Sequence, residues 1–155
     1  MKFKTFEQFI LEAEDRSAEP SEDLYKSWKE LINMTPAQIK QFRESRHGQD
    51  AGLTQKQAKN AGIDTGKESA EMLIKMIPSG KTFEDAEKNW TPAMWFWCGK
   101  QVSFNSRMIG MKQNMKSPYF FRDGEMTRWL KSLLIWGHIP DGYTFLKEPK
   151  EGEDL

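Results

Sequence analysis

The sequence holds a single cysteine, Cys98, and only two histidines, His47 and His138. One cysteine excludes an internal disulfide framework, and so few soft ligands leave no metal-binding pattern. No metal and no cofactor is expected, and the lone thiol suits a reducing compartment. No apolar run approaches the roughly 20 residues that a membrane-spanning helix needs, and no signal-peptide pattern opens the chain. Neither a membrane partner nor secretion is therefore expected. A Gly-rich phosphate loop, a nucleophile elbow and a paired acidic metal motif are all missing, so the chain is read as no enzyme. Net charge is absent too, since 23 Lys and Arg balance 23 Asp and Glu.

What is present is bulk. Only 37% of the 155 residues are hydrophobic, but six Trp, ten Phe and nine Met are large enough to fill one core. The length allows one ordinary domain. The charge is also segregated. Residues 1–23 carry three Lys and Arg against seven Asp and Glu, and residues 24–61 carry seven against three. Residues 62–89 carry four against six, residues 90–131 seven against two, and residues 132–155 two against five. Two basic blocks thus alternate with acidic ones. That pattern fits a solvated surface, or a basic face for nucleic acid moderated by acidic ends.

Apolar spacing predicts a mostly α protein, an irregular single-domain helical bundle with a tethered N-terminal amphipathic helix. In residues 1–14, Phe3, Phe6, Phe9, Ile10 and Ala13 share one helical stripe, and Thr5 with Gln8 has capping-box spacing. Residues 15–23 contain Pro20 and no large apolar residue, which predicts a flexible linker. A helical domain is expected over 24–147. Its first helix carries Leu24, Trp28, Leu31 and Ile32, and Thr35-Pro36 starts the next. The Gly52 and Gly62 segments punctuate short helices, and a helix with Met72, Leu73, Met76 and Ile77 ends at Pro78-Ser79-Gly80. A brief helix follows over Thr82 to Lys88.

Thr91-Pro92 then opens the most apolar stretch, through Trp95, Phe96, Trp97 and Cys98, a helix expected at the centre of the core. Along it Trp97, Phe104, Met108, Met111 and Met115 continue one stripe, and Lys100, Ser103, Arg107, Gly110 and Asn114 line another. That second line reads as the solvent side, with Gly110 admitting a close neighbour. Asp123-Gly124 signals a short hairpin near residues 119–126. The last strong helix spans Thr127 to Trp136 and stops at Gly137. Residues 148–155 are expected to form a disordered acidic tail.

The segment Lys4-Thr5-Phe6-Glu7-Gln8-Phe9-Ile10-Leu11-Glu12-Ala13 resembles the capsid-targeting peptide of internal head proteins in T4-like bacteriophages. That peptide is an amphipathic N-terminal helix that directs a protein into the prohead and is removed by a maturation protease cutting after Glu. The resemblance implies a processing site at Ile10, Leu11, Glu12 and Ala13, with cleavage after Glu12. It implies targeting or docking through Phe6, Phe9 and Ile10, and a place in the virion or the host cytoplasm. Met1-Lys2-Phe3 adds residues ahead of the matching Lys4. The remainder of the chain, through its KQVSFNSRM and TRWLKSLLIWGH segments, resembles small phage and bacterial modules of no established chemistry.

Two kinds of partner follow as expectations. A packaged phage accessory protein has prohead components as partners, and binds nucleic acid or a host factor after delivery. A non-packaged phage protein instead binds a host protein through its N-terminal helix. The densest basic set is Lys100, Arg107, Lys112, Lys116, Arg122, Arg128 and Lys131, interleaved with Phe104, Tyr119, Phe121 and Trp129. Cations hold phosphates and aromatic rings stack on unpaired bases, so this set is the candidate nucleic-acid surface. Lys40, Arg43, Arg46, Lys56 and Lys59 extend it if both blocks face one way. Cys98 reads as a buried small residue, and His138 as a helix C-terminal residue near the negative end of the dipole. An enzyme would be indicated by a bound small molecule, or by a pocket joining Cys98, His138 and Arg107.

Overall fold

The computed structural model describes residues 17–49, 51, 66–111 and 120–144. The expected N-terminal helix (1–14), the Gly52 and Gly62 segments, residues 112–119 and the acidic tail (148–155) lie outside the described residues. What is described is mostly α, a single domain with one two-stranded sheet among the described residues.

Helix α1 (Glu22–Leu31) starts where the Ser21 side chain accepts the Leu24 N–H, with Glu22 and Asp23 favourably placed at the positive end of the dipole. The helix therefore starts two residues before Leu24, within the expected linker. The Ala18 N–H donates to the Pro92 carbonyl at 3.0 Å, and Ala18 packs on the core. Helix α2 (Pro36–Glu44) opens with a full capping box between Thr35 and Gln38, with Pro36 in the first turn. Ser45 then turns the chain into the single-turn α3 (Arg46–Gln49), its hydroxyl donating to the Phe42 carbonyl and accepting from the Gly48 N–H.

Helix α4 (Gly66–Ser79) carries Leu73 and Met76 into the core, α5 (Phe83–Asn89) starts at the Thr82 cap, and α6 (Pro92–Met111) starts at Thr91. Strands β1 (Phe121–Arg122) and β2 (Glu125–Met126) pair antiparallel, Phe121 opposite Met126. Their turn has positive φ at Asp123 (53°) and Gly124 (80°), the geometry that lets a two-residue turn follow the strand twist. Helix α7 (Arg128–Ile135) begins at the Thr127 cap. It ends as Gly137, at φ 90°, donates to the Leu134 carbonyl while the His138 N–H donates to that of Leu133.

The core is organised by rings. Trp90 meets both Trp28 and Trp95 edge-on at 4.9 Å, and Tyr25 and Phe83 close the cluster. Each such pair adds about 0.5–1.5 kcal/mol beyond the area it buries. The Trp90 indole donates to the Met76 carbonyl, and the Tyr25 hydroxyl donates to that of Gly80. A side chain at position 80 would run into the Trp90 ring. Trp90 thus ties α1, α4 and α6 from the connection between α5 and α6.

Helix α6 is central, but it is not apolar all round. Its inner face is Trp95, Cys98, Gln101 and Asn105, all essentially sealed from water. Of the expected apolar stripe, Trp97 is buried, Phe104 and Met108 are half-buried, and Met111 is 46% exposed. The two buried amides act as hooks. Gln101 Oε1 accepts from the Trp28 indole at 2.8 Å, and its Nε2 lies 3.5 Å from the Ser69 carbonyl. Asn105 Nδ2 donates to the Trp136 carbonyl at 3.0 Å. Replacing Gln101 with Leu strands a buried indole N–H and should cost about 1–3 kcal/mol. Urea unfolding checks this through a mutant cycle. The same Gln101→Leu change should cost less in a Trp28→Phe background, where no indole N–H is left to strand.

Candidate functional site

The rotation of α6 decides what its cations do. With Trp95, Cys98, Gln101 and Asn105 inward, Ser103, Arg107 and Gly110 are exposed and Lys100 is half-buried, its ammonium 5.6 Å from the Phe96 ring. The Lys100, Ser103, Arg107, Gly110 line is therefore the solvent side of the helix. Contrary to the sequence expectation, Gly110 admits no close neighbour among the described residues, where a Cβ would meet nothing within 4 Å.

The remaining candidate residues divide into three groups. The Trp129 indole donates to the Met108 carbonyl at 2.8 Å, which brings the start of α7 alongside the end of α6. Arg128 then stands near the Arg107 end of α6, and Arg122 sits on the hairpin that leads into α7. On α7 the residues from Trp129 to Ile135 are buried except Lys131, so Arg128 and Lys131 form the water-facing side of that helix. Lys100 lies seven residues before Arg107, about 10.5 Å along the axis. Lys112 and Lys116 lie outside the described residues, as do Phe6, Phe9, Ile10, Leu11, Glu12 and Ala13.

The aromatic part of the expected surface is largely spent on the core. Phe104 stacks on Trp136 at 4.2 Å, Trp129 is buried against Phe120, and Phe121 is half-buried against the core. Tyr119 lies outside the described residues. Lys56 and Lys59 of the first basic block lie outside the described residues, and among the described ones the block joins this face at one corner. Arg46 Nη2 reaches Glu125 Oε2 at 3.8 Å, and Glu125 is the cross-strand neighbour of Arg122. Arg43 turns instead to Glu71 on α4, at 3.6 Å, and Lys40 is exposed on α2. Exposed pairs of this kind contribute about 0–1 kcal/mol, so they orient the cations weakly.

Sequence reasoning passed over the longest acid-free run in the chain. From Lys88 to Arg122 there is no Asp or Glu, while Lys88, Lys100, Arg107, Lys112, Lys116 and Arg122 all fall within it. It also passed over Gln101 and Asn105, which stand at helical spacing from Cys98 and share its face.

Cys98, His138 and Arg107 do not converge. Cys98 and Arg107 are nine residues apart on one helix, about 13.5 Å along the axis and on opposite faces. His138 Nδ1 is 2.7 Å from the Leu31 carbonyl at the end of α1, whereas Cys98 lies beside Tyr25 near its beginning. His138 thus joins the ends of α7 and α1, reinforced by Asn33, which exchanges side-chain hydrogen bonds with the Ile139 backbone. Among the described residues no group of three or more His, Cys, Asp or Glu is placed to hold a metal, and no helix is long and apolar enough to cross a membrane.

Burial pushes the Cys98 thiol from 9.0 up to about 12. It does the same for the Tyr143 hydroxyl, from 10.0 up to about 12. The folded state then holds these protons more tightly than the unfolded chain. Their contribution to stability is complete below pH 9.0 and is lost as the pH rises from there through about 12. Native protein at pH 8 should therefore leave Cys98 unmodified by a thiol reagent, with reaction only after unfolding in guanidinium. Rapid labelling of the native state would show the thiol to be accessible instead. No family model, curated protein or solved structure matches this chain.

Proposed function

We propose that this is a bacteriophage accessory protein, carried in the phage head and trimmed after Glu12, that associates with nucleic acid without reading its sequence. The observation that carries the nucleic-acid part is the acid-free run from Lys88 to Arg122, whose described cations Lys100 and Arg107 line the outer side of α6. Arg122, Arg128 and Lys131 continue it around the end of that helix. The phage part rests on the Lys4–Ala13 pattern. The acid-free run attracts phosphates through Lys100 and Arg107, and carboxylates enter only at its end, where Asp123 and Glu125 stand beside Arg122.

Such binding depends on released counterions. If four cations engage phosphates of a single strand, the logarithm of affinity should fall with the logarithm of salt at a slope of about −3. Arg107→Gln should reduce that slope by about one and weaken binding equally for unrelated sequences. Fluorescence anisotropy with two oligonucleotides of different sequence measures both quantities. Affinity that does not change with salt would remove the nucleic-acid reading. The remaining alternative would then be a host protein docking on Phe6, Phe9 and Ile10.

A further inference from the structure

The hairpin brings the two basic blocks together around one carboxylate. Its turn at Asp123-Gly124 makes Arg122 and Glu125 direct cross-strand neighbours. Successive side chains of a strand point to opposite faces. Phe121 and the buried Met126 therefore turn to the core, while Arg122 and Glu125 share the water-facing side. From α3, Arg46 comes to the same carboxylate, its Nη2 3.8 Å from Glu125 Oε2. Glu125 is thus flanked by an arginine from each basic block. We propose that Arg46 and Arg122 form a phosphate site of which Glu125 is the internal competitor, its carboxylate holding the place that a phosphate of a nucleic-acid strand takes on binding. The inference rests on the nucleic-acid reading for the strand, but not for the anion site itself.

The backbone under the arginines is fixed, whereas their ion pairing is loose. Ser45, just ahead of Arg46, donates to the Phe42 carbonyl and accepts the Gly48 N–H, and a side chain at position 48 would run into the Phe42 carbonyl. On the hairpin side, the Thr127 N–H donates to the Phe120 carbonyl at 2.8 Å. By contrast the Arg46 and Glu125 side chains are 68% and 65% exposed, and an ion pair so exposed is weak. A phosphate offers a guanidinium the same paired oxygens as a carboxylate, and a strand that brings one also releases counterions. Arg46, Arg122, Asp123 and Glu125 sum to no net charge, so removing the Glu125 charge leaves this corner positive. Asp123 provides the contrast. It carries the same charge but adjoins only Arg122, from a turn position at φ 53° that Asn also tolerates.

Glu125→Gln and Asp123→Asn in the full chain test the assignment, with inorganic pyrophosphate and a single DNA strand as separate probes. Pyrophosphate is followed by the NMR signals of the arginine Nε–H groups, assigned with Arg46→Gln and Arg122→Gln. In Glu125→Gln the Arg46 and Arg122 signals should move together, with an affinity about two- to fivefold above that of the native chain, the range expected when an exposed ion pair is removed. Asp123→Asn should give a smaller gain. Equal gains from the two variants, or no movement of Arg46, would overturn the site. By fluorescence anisotropy, Glu125→Gln should tighten binding of a strand of about 30 nucleotides by a similar factor and steepen the salt slope by about 0.7, one added phosphate contact. Adding Arg46→Gln should cancel both changes. A pyrophosphate gain without a DNA gain would overturn the strand as occupant and leave free phosphate as the ligand. Absence of DNA binding in the native chain and the variant alike would sink the nucleic-acid reading, and the pyrophosphate titration would still decide the anion site.

Discussion

Two buried amides set the rotation of the central helix, and the rest of the molecule depends on it. Gln101 and Asn105 stand one turn apart on α6, and their hydrogen bonds reach α1 through Trp28, α4 through Ser69, and the end of α7 through Trp136. A net hydrogen bond contributes only about 0.5–1.5 kcal/mol, but a buried polar group left without one costs about 1–3 kcal/mol. The consequence is selectivity more than strength. Turning α6 about its axis would break these hydrogen bonds and carry Lys100 or Arg107 toward the core. Asn105 Oδ1 and Ser69 Oγ, both buried, have no hydrogen-bond partner among the described residues. The polar centre is therefore only partly satisfied, which makes it sensitive to substitution.

Around this axis the packing is done by few and large side chains. A sequence poor in Leu and Val reaches a closed core because Trp28, Trp90 and Trp95 interlock edge-on and each fills a volume several aliphatic residues would need. Their indole N–H groups bring an obligation with them. Those of Trp28 and Trp90 are met by Gln101 and by the Met76 carbonyl, and that of Trp129 by the Met108 carbonyl, whereas the buried Trp95 N–H has no hydrogen-bond partner among the described residues. The aromatic core and the polar hooks are thus one system, and the two outermost helical ends are pinned to it by Asn33 and His138.

Much of this was legible beforehand because it is local. Thr35-Pro36, Thr82, Thr91-Pro92 and Gly137 mark helix limits through capping chemistry that requires no knowledge of the fold, and Asp123-Gly124 marks its turn in the same way. The solvent side of α6 was read correctly from the spacing of Lys100, Ser103 and Arg107. What was missed is non-local. Trp90 lies in a connection, where no periodicity reports burial, and its role exists only because Gly80 leaves room for its ring. Gln101 and Asn105 look like surface residues until Trp28 and Trp136 supply partners 73 and 31 residues away. The aromatics near the basic set looked available for bases, but the core claims Phe104 and Trp129.

The proposed function stands on a locked helix that carries Lys100 and Arg107 outward and on the resemblance of Lys4–Ala13 to a capsid-targeting peptide. If the proposal holds, the protein travels in the particle and is cut on the way. Mass spectrometry of purified phage particles, with the first residue of the chain identified, tests that claim most directly. Peptides beginning at Ala13 are the predicted result. Particles that lack the protein, while infected cells contain the intact chain beginning at Met1, would contradict it.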